Sequence, residues 1–306
     1  MFKRNAYNRA IQVTSMADTG SGANDSTYAA LTDETRIRIL FALADQYGDA
    51  WSAEWPSFSE LRERVGVDDT SRFSYHLDEL QDDFVRKVDG TYRPRVAALE
   101  IVSTIRAGTY DGDTVAVDQQ QTDYECPSCE EALVASYRHH HLYVGCPSHG
   151  AAIAYPTPPR ALADRTLEDV IDLSFRKHAC DVRLFRNDVC PHCWGAAGFS
   201  FPRDSVPDSY LLDDVAYATA KCDTCWVSYP IPIAQTVLGH PAVETLYSTH
   251  ELGPTDAQIG PHNLARISEV ALPDSKSPAA RISVELRADS LVLELDESCH
   301  VTDWQR

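Results

Sequence analysis

SFSELRERVGVDDTSRFSYHLDELQDDFVRKVDGTYR, residues 57–93, decides the amino-terminal fold. Ser57 and Glu60 make a capping box, Leu61 and Val65 face inward, and Gly66 is a left-handed stop. After the short Val67-Asp-Asp69 turn a further helix starts at about Thr70, burying Phe73, Leu77 and Leu80. Two helices joined by so short a turn make a helix-turn-helix. Phe84–Val88 and Thr91–Arg93 then alternate around Asp89-Gly90, the signal for a two-residue hairpin. Helix, helix, hairpin is the order of a winged helix. Upstream, Thr32 is the expected cap of a helix whose stripe is Ile37, Leu40, Phe41 and Ala44. Downstream, Val96–Ala107 carries Ala98, Ile101, Val102 and Ile105 on one face, with Leu99 as a second edge. That apolar surface is wider than one core contact needs, so the helix is a candidate for pairing two copies as a homodimer, the alternative being that it caps its own domain or packs on the first knuckle pair.

Residues 31–108, through LTDETRIRILFALAD, SFSELRERVGVDD and SRFSYHLDELQDDFVRKVDGTYRP, resemble the ArsR-type winged helix-turn-helix regulators, above all their acidic haloarchaeal versions. The resemblance implies a DNA-binding transcription factor with the helix from Thr70 in the major groove. No cysteine lies in that helix, so the family's soft-metal sensing site at that place is missing. Ser71, Arg72, Ser74 and Tyr75 project away from Phe73, Leu77 and Leu80, and Arg can fork onto guanine. Arg86, Lys87, Arg93 and Arg95 on the wing are candidates for backbone phosphate or the minor groove. His76 lies beside the apolar stripe and is expected to be packed.

The 306 residues suit two or three compact units, and 43% apolar usage excludes global disorder. No apolar run reaches the roughly 18 residues that span a membrane. Residues 1–15 lack an apolar signal core, Met16 is a second plausible start, and residues 1–27 read as a mobile tail. Net charge is −19, from 30 Asp and 16 Glu against 22 Arg and only 5 Lys. Such a surface stays hydrated in molar salt, where screening reaches about 3 Å, so the chain reads as a cytoplasmic protein of a halophile. Residues 28–110 carry net −5 and residues 111–306 net −15, which leaves the amino-terminal domain the less repulsive for an anionic partner.

Residues 111–122 read as a linker or loose strand, and 123–306 as one carboxy-terminal α+β domain holding knuckle pairs at 123–160 and 187–230. Cys126 and Cys129 precede Cys146 and His149 by the spacing of a zinc ribbon, the hairpin being supplied by the stretches between. His139, His140 and His141 are nearby alternatives without the knuckle position. Cys190 and Cys193 lie 28 residues from Cys222 and Cys225, so a loop such as Phe201–Pro207 must be inserted. Soft thiolates with one imidazole suit tetrahedral Zn2+, giving two per chain. Cys180 reads as an apolar side chain and Cys299 as part of a terminal strand. A capping box at Thr166–Asp169, a helix from Pro241 and a hairpin around Ala288-Asp289-Ser290 complete the domain. This half looks like the cysteine-rich domain that haloarchaeal winged-helix regulators often carry.

The function expected is a DNA-binding transcriptional regulator, with a protein or small-molecule partner conceivable at the carboxy-terminal domain. The alternative is a zinc-ribbon adaptor that contacts the transcription machinery. An enzyme is not expected, because both sets offer four closed ligands and no nucleophile elbow, P-loop or dinucleotide fingerprint is present.

Overall fold

Asp33 starts the first helix. Its carboxylate accepts backbone N–H bonds from Thr35 at 2.8 Å and Arg36 at 3.3 Å, and α1 runs over Glu34–Gly48. Thr32, the expected cap, ends a short tight turn instead. Ile39, Leu40 and Leu43 are fully buried, while Ile37, Phe41 and Ala44 are only half-buried. The run Ile-Leu-Phe-Ala-Leu is apolar all round, so periodicity alone admits either stripe and the neighbouring helices decide.

The structure is a computed structural model that describes residues 29–48, 54–112, 115–126, 129–201, 215–252, 268–273 and 277–306. The chain divides between Ile105 and Arg106 into two units, a few residues before the expected boundary. In the first, α2 (Phe58–Val65) has the full Ser57–Glu60 capping box and ends on Gly66 at φ 69°. A Cβ there would meet nothing, so the left-handed backbone alone asks for glycine. Asp69 caps α3 (Thr70–Asp78), accepting from the Ser71 and Arg72 N–H groups. Phe73, Leu77 and Leu80 join Leu40, Leu43, Leu61 and Val65 in one core. Each such side chain contributes roughly 1.5–3 kcal/mol by leaving water. β1 (Val85–Val88) and β2 (Thr91–Pro94) form an antiparallel hairpin turned by Asp89 and Gly90, both at positive φ. α4 (Val96–Arg106) buries Ala98 and Val102.

The second unit opens with an antiparallel sheet of β3 (Val117–Glu125), β4 (Ala132–Arg138), β5 (His141–Cys146) and β6 (Gly150–Pro156), in that order. Within the stretch read as a linker or loose strand, residues 117–122 are therefore strand. Thr122 is buried there, its hydroxyl donating to the Leu133 carbonyl at 2.9 Å. α5 (Leu167–Phe185) starts on the Thr166–Asp169 capping box and serves two cores. Ile171 and Phe175 pack with Leu133, Leu142 and Val144 of the sheet. About two and three turns beyond Phe175, Val182 and Phe185 join a larger core. That core takes in β7 (Ala197–Ser200), β8 (Tyr217–Cys222) and β9 (Ser228–Pro232), a second antiparallel sheet. It also takes in α6 (Pro241–Thr249) and the meander β10 (Ser268–Ala271), β11 (Ala280–Leu286), β12 (Asp289–Leu295) and β13 (Val301–Gln305). The β11–β12 turn is Arg287-Ala288, with Arg287 at φ 57°, so Asp289 and Ser290 belong to the strand. The chain is thus mixed α+β in two units. Among the described residues no helix is long and apolar enough to cross a membrane.

Candidate metal centres

Cys126 follows β3 and Cys146 ends β5, so adjacent hairpins bring their ends to one edge of the sheet. Cys129 and His149 complete the group, and all four ligand atoms lie within 4.8 Å of one another. Cys126 Sγ is 3.5 Å from His149 Nδ1, Cys146 Sγ 3.4 Å from the same atom, and Cys129 Sγ 3.7 Å from Cys146 Sγ. The turn is held by Cys126 N–H to the Glu131 carbonyl and Glu130 N–H to the Cys126 carbonyl. Glu130 has φ 61°, a conformation glycine more often supplies. His139 and His140 sit at the opposite end of the β4–β5 hairpin, and His141 pairs with Arg138 beside them. His149 is the histidine at the cluster.

Cys190 and Cys193 precede β7, while Cys222 ends β8 and Cys225 follows it. Ala197 pairs with Cys222 and Ser200 with Thr219, so the 28-residue gap closes as a hairpin and the ligands meet at its base. The expected insertion, Phe201–Pro207, lies almost wholly outside the described residues. Cys190 Sγ is 3.7 Å from Cys225 Sγ, and Cys193 Sγ 3.5 Å from Cys222 Sγ. The backbone N–H of His192 points at Cys190 Sγ, and those of Thr224 and Cys225 at Cys222 Sγ. The two turns approach closely: a Cβ on Gly195 would fall 2.7 Å from Thr224 Oγ1. Cys180 is exposed on α5, against the apolar reading, and Cys299 is buried in the β12–β13 turn at φ 57°. Neither joins a cluster.

Sulfur separations of 3.5–3.7 Å are far from the roughly 2.05 Å of a disulfide. They match a tetrahedron with metal–sulfur bonds of about 2.3 Å, whose corners stand roughly 3.8 Å apart. Charge points the same way. Burial resists ionisation of Cys222, yet the backbone amides of Thr224 and Cys225 bring its thiol down to about 7. Burial pushes Cys225 up to about 12. Against a backbone amide from Glu131 that favours its thiolate, burial and the Cys146 and Cys126 sulfurs push Cys129 up to about 11. Sulfurs this close cannot all ionise without a cation among them, and a divalent ion reverses that penalty. Both groups fit a metal ion.

In the first unit, Ser71, Arg72 and Tyr75 are exposed on α3, while Ser74 is half-buried and its hydroxyl donates to Asp78 at 3.4 Å. Arg86, Lys87 and Arg95 are exposed. Arg93, a candidate for phosphate or the minor groove, is half-buried, with its guanidinium 5.8 Å over the Trp55 ring. Lys87 Nζ stands 5.4 Å over Tyr92. His76 is buried as expected, its Nδ1 accepting from Arg36 Nε at 3.4 Å, a link no local pattern announces. Acidic Asp68, Asp69, Asp82 and Asp83 flank the two ends of α3.

Residues 123–301 match the family described as Domain of unknown function (DUF7351). That span is more than half of the chain, which belongs to this family. Residues 24–105 are similar to a second family, Domain of unknown function (DUF7347). No curated protein and no solved structure matches the chain.

Proposed function

We propose that the chain is a DNA-binding transcriptional regulator, an ArsR-like winged helix-turn-helix in the first unit with two structural Zn2+ ions in the second. The observation that carries this reading is the exposed series from α3 into the hairpin. Phe73 and Leu77 anchor α3 so that Ser71, Arg72 and Tyr75 face outward, and the hairpin directly after it presents Arg86 and Lys87. An outward Arg suits guanine O6 and N7, and a cationic hairpin suits phosphate. For the metal, six buried or half-buried donors and two exposed thiols form two closed four-ligand sets. Closed sulfur-rich sets support structural zinc, since catalytic zinc keeps a position for water or substrate.

The test is selection from a pool of random DNA duplexes by the metal-replete full chain in molar KCl. Enrichment of a common motif, lost on Arg72→Ala, is the expected result. Failure to enrich any motif, with no salt-dependent binding to duplex DNA, overturns it. The adaptor reading then takes precedence, favoured by Trp194 and Trp226, 84% and 62% exposed beside the second cluster.

A further inference from the structure

We infer that the second unit binds a small, uncharged, planar and mainly apolar molecule in a cavity between α5 and the second cysteine cluster. The cavity has a volume of about 390 Å³, within the range of small-molecule sites. Tyr155, Trp226 and Tyr229 give it aromatic walls, and Pro156, Pro158 and Pro191 add rigid apolar surface. Such flat, stiff walls fit a flat ligand at little entropic cost.

Its polar groups define the ligand's charge. Lys177 and Asp181 both line the cavity and form an ion pair, one carboxylate oxygen taking Lys177 and the other the Tyr155 hydroxyl. Asp181 is buried and both its oxygens are engaged, one of them by the Lys177 ammonium, so the pair adds no net charge to the wall. A charged ligand would lose its hydration without compensation. Tyr229 adds no polar group either: its hydroxyl oxygen is buried, out of reach of a molecule in the cavity, and only its ring lines the wall. Behind the wall, His178 packs 6.0 Å from the Tyr155 ring and 6.1 Å from Tyr229, and its Nε2 meets Gln235 Oε1 at 3.0 Å. That contact set fixes both tyrosines. At the rim, His192 and Trp226 bring one ring from each turn of the second cluster to 5.2 Å, edge to face. Leu173 and Trp226 remain 40% and 62% exposed there, apolar surface that a ligand would cover.

The experiment is calorimetric titration of the metal-replete full chain with naphthol and with naphthalene. Saturable one-to-one binding of naphthol is expected. Trp226→Ala and Leu173→Glu, both at exposed positions, should each weaken it about tenfold, the loss of one good aromatic or apolar contact. Metal content and melting temperature should stay at wild-type values. No saturable binding of either probe, or binding that survives both rim substitutions, overturns the proposal. So does naphthoate binding as tightly as naphthol, or a proline-rich peptide displacing it. DNA is absent from the titration, so failure here leaves the regulator reading standing.

Discussion

His178 is half-buried, and its desolvation holds the imidazole below the ordinary histidine value, against the opposing hydrogen bond to Gln235. The unfolded chain takes up a proton on this residue as pH falls through about 6.5, while the folded chain does so only at a lower pH. Folding stability is therefore complete above that pH and is lost on acidification. Melting temperature should drop between about pH 7.5 and pH 5.5, and drop less in His178→Gln, the metal content being checked at each pH. Equal drops in both proteins would remove His178 from the account. Arg72 is the corresponding residue of the first unit. Arg72→Ala should cost about 1–3 kcal/mol on the selected motif and much less on random duplex, read by competition binding. Residues whose role follows from local spacing were legible: Phe73, Leu77, Gly66 and the Ser57–Glu60 box all stand where periodicity and capping put them. Thr32 and Asp33 are neighbours that both cap well, and only the observed N–H bonds separate them. The Arg93–Trp55 stack and the Tyr155–Asp181 bond join residues far apart in the chain, and nothing local encodes them.

Paired elements make each metal group, because a strand end alone offers two ligands and its hairpin neighbour the other two. The spacing of cysteines announced the ligand sets, yet β3 stayed ambiguous because Asp118-Gln-Gln-Gln121 is exposed and reads as polar coil. Its hydrogen bonds come from β4, a partner the sequence window does not contain. Removing ligands from both turns tests the second pair. Cys190→Ser with Cys225→Ser should lower bound zinc from about two to about one per chain. The β7–β9 sheet should then lose protection from hydrogen exchange while the first unit keeps it, since structural zinc supplies folding free energy. Two zinc ions in the double variant would refute the assignment of these ligands. The hairpin of the first unit makes an electrostatic prediction of its own. Arg86→Ala with Lys87→Ala should reduce the slope of log affinity against log salt by about 2, for the selected motif and random duplex alike. An unchanged slope would take the hairpin off the phosphates.

For the whole molecule the deciding quantity is a net charge of −19, which opposes both self-association and DNA unless salt screens it. Short screening lengths in molar KCl leave apolar contact as the means of association, and α4 offers it. Val96 is 70% exposed and Leu99 half-buried, while Ile101 packs partly on its own core. Leu99→Glu therefore separates association from folding better than a change at Ile101. The wild-type chain should sediment as a dimer in multimolar KCl, with two recognition helices reading half-sites about 34 Å apart and a pseudo-palindromic motif from selection. Leu99→Glu should give a folded monomer whose affinity for that motif falls towards the affinity of a single half-site. A wild-type monomer at tens of micromolar, or a selected motif with no dyad, would assign α4 to its own unit alone.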